Sequence, residues 1–274
     1  MNHSPRISII TPSFNQAEFL ERTILSVLNQ NYSNTEYIII DGGSTDGSVD
    51  IIRKYEKKLA YWITEKDNGL YDALNKGFKL STGEIMCWIN SDDVFFEGAF
   101  NYVAFIFSSK KEVNWLQGYP TVINEDDKII YKRDPICNPS FFYLGLHEIT
   151  NSYIQQESTF WSRKLWNNAG ARINTNYSLA GDFDLWMKFF QSEKLFCSRK
   201  KLASFRKRPG QKSSNIQKYI LETRQSLSQN IKKMKWLDRL FLKSIQLLLS
   251  EKKIPNTIKN ILIKKAVPFV NFID

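Results

Sequence analysis

The sequence predicts an α/β fold: a mostly parallel central sheet flanked by helices, followed by a helical extension at the C-terminus. Three observations predict it. Short apolar runs alternate with segments of helical spacing from residue 6 to about 90, the rhythm of strand–helix–strand units. Polar clusters stand where three of those runs end: Thr11 to Asn15, Asp41 to Asp46, and Asn90 to Asp93. From about residue 212 the pattern changes to long, basic, amphipathic helices.

The first strand is expected over 6–11, with Pro12 stopping the ladder because it has no amide hydrogen. A helix follows over about 17–29, with Phe19, Leu20, Ile24, Val27 and Leu28 on its apolar face. Residues 36–40 are apolar enough for a central strand covered on both faces. Asp41-Gly42-Gly43-Ser44-Thr45-Asp46-Gly47 is a turn, and Asp46 or Ser48 can cap a helix over about 48–58. A short strand over 59–64, a turn at Asp67-Asn68-Gly69, a helix over 70–80 and a strand over 85–89 complete the alternation. Beyond it, 94–109 reads as helix, 115–123 and 128–133 as strands, and 134–155 as loop. Residues 158–168 suggest a strand running into a short helix, 185–190 a helix with Asp182 and Asp184 at its start, and 195–205 a return to strand. Helices are expected over 214–232, 235–250 and, after Pro255, 256–266.

With 274 residues, 42% hydrophobic and 14% aromatic, the chain is too rich in core-forming side chains for disorder. The average charge of +10 hides a division. Residues 1–198 hold 19 Lys and Arg against 24 Asp and Glu, whereas 199–274 hold 19 against 4. We therefore expect a body over 1–210, which the alternation to about 90 divides into a ligand-binding half to about 110 and a second half over 111–210, then a basic extension over 211–274. No apolar run reaches the ~20 residues of a membrane span, and the N-terminus lacks the pattern of a signal peptide. The three cysteines, Cys87, Cys137 and Cys197, form no metal-type cluster and no dense disulfide framework, so a reducing compartment is the default.

Ligands of such sheets bind beyond the carboxyl ends of the strands. The three polar clusters are thus expected to converge on one site. Asp92 and Asp93, after an apolar strand, suit a hard divalent cation or, equally, a helix cap. Asp41, Ser44, Thr45 and Asp46 suit a ribose or base, or an ordinary Asp-Gly turn. Of Asp182 and Asp184, two apart, only one is expected to face a cleft and act as a base. His147 is a phosphate donor or a plain surface residue. Trp161, Trp166 and Trp186 form a sugar-stacking platform or, more often for such residues, core. Neither the phosphate-binding loop of ATPases nor the glycine fingerprint of dinucleotide folds is present.

Taken together, the motifs resemble family 2 glycosyltransferases, inverting enzymes of the GT-A fold. The matching pieces are Ile9-Ile10-Thr11-Pro12-Ser13-Phe14-Asn15, Asp41 to Gly47, Glu65 to Gly77, Trp88-Ile89-Asn90-Ser91-Asp92-Asp93, Gln155 to Trp161, and Gly181-Asp182-Phe183-Asp184-Leu185-Trp186. The resemblance covers about residues 5–205. It implies a nucleotide-diphosphate sugar, with a UDP-sugar favoured, bound by Thr11, Pro12, Asn15, Asp41, Ser44, Asp67, Asn75, Lys76, Ser91 and Asp92. It implies Mn²⁺ or Mg²⁺ on Asp92 and Asp93, and Asp182 as the base that deprotonates an acceptor hydroxyl. Glu157, Asp184, Trp161 and Trp186 are expected on the acceptor side or in support. Many relatives carry Asp-Asp-Gly-Ser where this chain has Asp41-Gly42-Gly43-Ser44, and Asp-x-Asp where it has Asn90-Ser91-Asp92. The base-recognising carboxylate is then missing, or supplied by Asp41 or Asp67. Gly181 also stands where many members have Glu.

A bacterial surface glycan or lipid-linked glycan is the acceptor the resemblance implies. The basic extension would suit an anionic membrane surface, packing on the catalytic domain, or an oligomer contact. The expected location is cytoplasmic, peripheral at the inner face of the membrane. A sugar-nucleotide nucleotidyltransferase is disfavoured because Thr11 to Asn15 lacks a basic glycine-rich loop. A nucleic-acid-binding role is disfavoured by the acidic body.

Overall fold

In a computed structural model of the chain, residues 4–211, 214–234, 236–250 and 272–273 are described. The helix expected over 256–266 lies outside them. The core alternation is β1 (Ile7–Ser13), α1 (Ala17–Leu28), β2 (Thr35–Asp41), α2 (Ser48–Tyr55), β3 (Tyr61–Thr64), α3 (Leu70–Leu80) and β4 (Ile85–Trp88). After it come β5 (Val94–Phe95), α4 (Ala99–Ser109), β6 (Trp115–Gln117), β7 (Thr121–Ile123), β8 (Ile129–Lys132), α5 (Pro139–Tyr143), α6 (Leu146–Thr150), β9 (Thr159–Ser162), α7 (Arg163–Asn168), α8 (Gly181–Phe189), β10 (Phe196–Cys197) and β11 (Ala203–Arg206). Two long helices close the sequence of elements, α9 (Ile216–Lys233) and α10 (Trp236–Ser250).

The main sheet has seven strands in the order β10-β6-β9-β4-β1-β2-β3. It is parallel except where β9 inserts antiparallel between β4 and β6. A second sheet, β5-β11-β7-β8, stands beside it. Every residue of β1 and β4 is buried, as a strand covered on both faces requires. Helix α3 lies close on β1: a Cβ at Gly77 would come 2.5 Å from Ile10 Cγ2, so only glycine fits.

Several boundaries differ from expectation for identifiable reasons. Strand β1 runs through Pro12 to Ser13, because Pro12 is paired in register with Ile40 and the chain leaves the sheet only afterwards. The expected helix over 94–109 begins at Ala99; Val94 and Phe95 are instead drawn into the second sheet by β11. The single strand expected over 115–123 is two, which break at Gly118 and enter different sheets. Gly118 has no room for a Cβ, which would meet Ser158 Oγ and Leu202 Cγ at 2.6 Å. The loop-rich 134–155 contains α5 and α6. Cys137 and Cys197 are joined as a disulfide that their wide spacing gave no sign of, and Cys87 is a free buried thiol.

Trp161 and Trp186 do not face an acceptor. Both are buried in an aromatic core, with Trp186 stacked on Trp88 at 5.8 Å and Trp161 edge-on to Trp186 at 5.6 Å. Their ring area is better spent on the interior than in a cleft, and Trp166 follows them. His147 is likewise interior. Its ring lies among Phe142, Tyr153 and Phe183, and burial pushes its pKa down to about 4, leaving it neutral and unsuited to hold a phosphate.

Candidate active site

The parallel register aligns the strand ends. Ser13 lies opposite Asp41, and Asp41 opposite Thr64, while Ile89 donates its amide to Ile10 O. The loops that follow are tied directly to one another. The Asn15 amide donates to Ser44 Oγ at 2.8 Å, and Thr45 N donates to Asn15 Oδ1 at 2.9 Å. Asn15 adopts a left-handed φ of 51° to do so, a conformation asparagine tolerates. The third cluster joins through an arginine from the far side. Arg208 donates from Nε to Asp92 Oδ2 at 3.0 Å and from Nη2 to Gln16 Oε1 at 2.8 Å.

Asp41 is buried and fully used. It accepts from the amides of Gly43 and Ser44 and from the hydroxyls of Ser44 and Thr64. It therefore shapes the loop from beneath. Thr11 is also buried, its hydroxyl paired with that of Tyr37 at 3.1 Å. The carboxylate that reaches the loop surface is that of Asp67. Its Oδ2 lies 2.7 Å from the point where a Cβ on Gly42 would be, and its Oδ1 accepts the Gly69 amide at 2.8 Å. Asp67 thus fills the space a longer residue at 42 would occupy. Asn75 is turned away and braces another loop, donating to Ile173 O and accepting Ile173 N, each at 2.9 Å. Lys76 lies on the surface against Glu65 and Asp72.

Asp92 and Asp93 diverge. Asp93 is buried, its Oδ1 accepting the Arg206 amide at 2.7 Å and its Oδ2 accepting Asn90 Nδ2 at 3.1 Å. Burial, with Asp92 and Glu157 nearby, raises its pKa well above the usual carboxylate range. Asp92 is also largely buried, with Arg208 and Gln211 on one oxygen. Ser91 is buried beside it. Among the described residues no three His, Cys, Asp or Glu gather as a cation site. The donor set is one carboxylate already paired with a guanidinium, which fits a divalent cation poorly.

Across the cleft, α8 opens with Gly181 and Asp182. A Cβ at Gly181 would meet the Tyr71 ring at 2.7 Å, so glycine here lets Tyr71 lie against the helix start. A glutamate in that place would displace the ring. The Tyr71 hydroxyl donates to Leu179 O at 2.7 Å and more weakly to Asp182 Oδ1 at 3.4 Å. Burial pushes the Asp182 carboxyl up to about 7, against the opposing pull of the Phe183 amide and its own. Glu157 is buried between the two sides. Burial, with Asp92 and Asp182 adding repulsion, pushes it up to about 7. Asp184 points into the protein, with Ser226 Oγ at 2.8 Å and Lys188 Nζ at 2.8 Å, so its part is support. A cavity of about 900 Å³ runs between Asn68–Asp72 and Ser214–Lys218, with Gln211 and Leu179 on its wall. Gln211, which donates to Asp92, and Tyr71, which donates to Asp182, both lie on its lining.

A sequence model of the family described as Glycosyl transferase family 2 matches residues 8–166, more than half of the chain. The chain belongs to glycosyltransferase family 2. The transferase is 42% identical over 96 residues to an uncharacterized glycosyltransferase of Mycobacterium tuberculosis, 35% of this chain and 37% of that one. It is 28% identical over 198 residues to one of Rickettsia prowazekii, 71% of this chain and 61% of that one. TuaG of Bacillus subtilis, provisionally named for teichuronic acid biosynthesis, is 38% identical over 95 residues, 34% of this chain and 38% of TuaG. The match thus takes in less than two thirds of each relative's length. Among solved structures, S. aureus TarS 1–349 in complex with UDP-GlcNAc superposes with a TM-score of 0.69 at 16% identity, over 96% of this chain and 82% of that one. The mannosyltransferase PcManGT of Pyrobaculum calidifontis, in complex with GDP-Man and Mn²⁺, does so with 0.58 at 19%, over 96% and 70%. These likenesses establish the GT-A fold of the transferase.

Sequence reasoning missed Arg208, Gln211 and Glu222. Arg208 and Gln211 lie in a short loop without a motif. Glu222 lies in a helix read as a separate extension, yet it organises the loop before α8.

Proposed function

We propose that the transferase moves a sugar from a nucleotide-diphosphate donor, a UDP-sugar by preference, to a hydroxyl of a glycan or lipid-linked glycan, with inversion at the anomeric carbon. The observation that carries this reading is the placement of Asp182. Its carboxylate, partly exposed at a helix start and pushed up to about 7, takes a weak hydrogen bond from Tyr71, and Tyr71 lines a cavity of about 900 Å³ whose wall also carries Gln211, the partner of Asp92 at the strand ends where GT-A enzymes bind nucleotides. The acceptor hydroxyl gives its proton to Asp182 as its oxygen attacks the anomeric carbon. The bond to the diphosphate breaks on the opposite face, and no covalent enzyme intermediate forms. The names of TuaG and the UDP-GlcNAc complex of TarS support a cell-surface glycan and a uridine donor. A divalent cation, Mn²⁺ or Mg²⁺, remains what the resemblance implies. The residues present offer it Asp92 alone, already paired with Arg208.

The extension is not detached from this chemistry. Helix α9 packs on α8, with Thr223, Ser226 and Asn230 buried. Beyond it, Trp236, Leu237, Leu240 and Leu247 of α10 are more than half exposed. No helix among the described residues is long and apolar enough to cross a membrane. We read the exposed apolar side chains of α10, with Arg239 and Lys243 between them, as contact with an anionic membrane surface carrying the acceptor, at the inner face of the cytoplasmic membrane.

The test is a screen of UDP-, GDP- and dTDP-sugars for release of the free nucleoside diphosphate by the full chain, with the anomeric configuration of the product read by NMR. Turnover of one donor with inversion is expected. Retention of configuration, or undiminished turnover in Asp182→Asn, would remove Asp182 from its role.

A further inference from the structure

Asp92 does not stand ready for a metal ion; it is already paired with a cation. Arg208, from the loop after β11, places Nε 3.0 Å from Asp92 Oδ2. Its Nη2 is 2.8 Å from Gln16 Oε1, just ahead of α1. Its Nη1 makes no hydrogen bond among the described residues, and its side chain is 17% exposed. The neighbouring Arg206 is quite different. It is fully buried, with Nε on Asp92 O, Nη1 on the carbonyls of Asn124 and Glu125, and Nη2 on Asp127. Arg206 holds the second sheet to the strand ends, and Arg208 is left nearer the surface, with its guanidinium 5.3 Å from the centre of the Phe19 ring.

We propose that Arg208 is a diphosphate-binding residue of the donor site, and that its guanidinium supplies the positive charge there in place of a divalent cation. This rests on the donor reading above. Asp92 and Asp93 stand at the strand ends, with Glu157 buried near them. A diphosphate entering this field needs a counter-charge. Asp93 is turned inward and Asn90 is neutral, so the carboxylates that remain do not make a cation site. A guanidinium does not need a ligand cage. Its planar fork matches two phosphate oxygens at once.

The local structure permits the exchange. Arg208 is carried by a loop rather than by a packed strand, and in this proposal its side chain exchanges Asp92, Gln16 and the Phe19 ring for the ligand. Asp92 is not then left without a donor, because Gln211 Nε2 lies 3.3 Å from the same oxygen. Gln211 also accepts the Arg208 amide at 3.1 Å and donates to Arg206 O at 2.6 Å, which keeps the loop's backbone in place while the side chain moves. The leaving diphosphate gains negative charge as the sugar departs, so a cation held against it contributes more in the transition state than in the ground state.

The experiment is calorimetric titration of UDP, GDP and dTDP into the full chain, in EDTA and in MnCl₂, for the natural protein, Arg208→Ala and Arg208→Lys. The natural protein is expected to bind one nucleotide with dissociation constants in the two buffers that agree within about fivefold, whereas Arg208→Ala loses about fivefold or more in EDTA and Arg208→Lys loses less. If Arg208→Ala is unfolded by circular dichroism, Arg208→Gln, which keeps a donor for Asp92, takes its place under the same criterion. A smaller loss in the variant, or a larger loss in the natural protein on moving to EDTA, overturns the proposal. Binding that ignores Arg208 overturns this inference alone. No binding of any nucleotide to the natural protein in either buffer overturns the donor reading, and this inference with it.

Discussion

Asp67 occupies the space that a side chain at Gly42 would need: its Oδ2 is 2.7 Å from the position a Cβ there would take. The two residues come from the ends of adjacent strands, β2 and β3. The family pattern this chain resembles has a second aspartate at position 42. Here position 42 is glycine, and the carboxylate of Asp67 from the neighbouring loop lies in that space.

That exchange predicts a compensating pair. Gly42→Asp alone should displace Asp67 and weaken nucleotide binding by about tenfold, the scale of one lost charge-assisted hydrogen bond. Asp67→Gly alone should cost about as much. The double variant Gly42→Asp/Asp67→Gly should recover most of the affinity, measured by titration with UDP. Additive losses in the double variant would refute the shared-space account.

Asp182 predicts the pH profile. As a base it works deprotonated, and its pKa is pushed up to about 7 by burial. Turnover should therefore rise with pH through about 7 and fall about tenfold per unit well below it. Asp182→Asn should lower turnover by about 10²–10⁴-fold while leaving nucleotide binding within about threefold. The same shift has a stability consequence. The folded-state pKa lies above the ordinary value of 3.8, so ionising Asp182 destabilises the fold as pH rises between the two. Asp182→Asn should accordingly melt higher than the natural protein at pH 8 and not at pH 4, by differential scanning fluorimetry.

Glu222 predicts that the extension is needed for catalysis. Its carboxylate accepts the amides of Ser178, Leu179 and Ala180 and the Ser178 hydroxyl, the segment that leads into Asp182. These bonds lower its pKa even though burial opposes them. Its contribution to stability is thus present above about pH 4.5 and lost as pH falls through the lowered value. Glu222→Ala should cost about 1–2 kcal/mol of stability at pH 7. It should also reduce turnover more than nucleotide affinity, since it loosens Asp182 and touches nothing on the nucleotide side. Equal effects on both would mark it as purely structural. A chain cut at residue 210 should fail to fold stably, because α9 also supplies the Ser226 hydroxyl to buried Asp184.

The exposed face of α10 predicts membrane affinity that can be removed without touching the site. Trp236→Ser/Leu240→Ser in the full chain should reduce co-sedimentation with anionic vesicles severalfold and leave turnover of a soluble acceptor unchanged. Equal sedimentation of both proteins, or none by the natural protein, would end this reading.

The elements whose signals are local could be read directly from the chain. The apolar runs of β1, β2 and β4 and the helical spacing of α1 and α3 need no distant partner to be read. Polar residues interrupt the apolar runs at the strand ends, so the clusters at Thr11–Asn15, Asp41–Asp46 and Asn90–Asp93 were legible too. What each member does there was decided by the tertiary structure. Asp41 and Asp93 have the composition of ligand carboxylates, yet backbone amides and hydroxyls brought by the fold consume Asp41, and Arg206 and Asn90 consume Asp93. Trp161 and Trp186 could stack a sugar or fill a core, and only the neighbouring rings settled it. Arg208 and Glu222 carry no motif. Their importance comes from meeting Asp92 across 116 residues and Leu179 across 43, contacts that no spacing along the chain encodes.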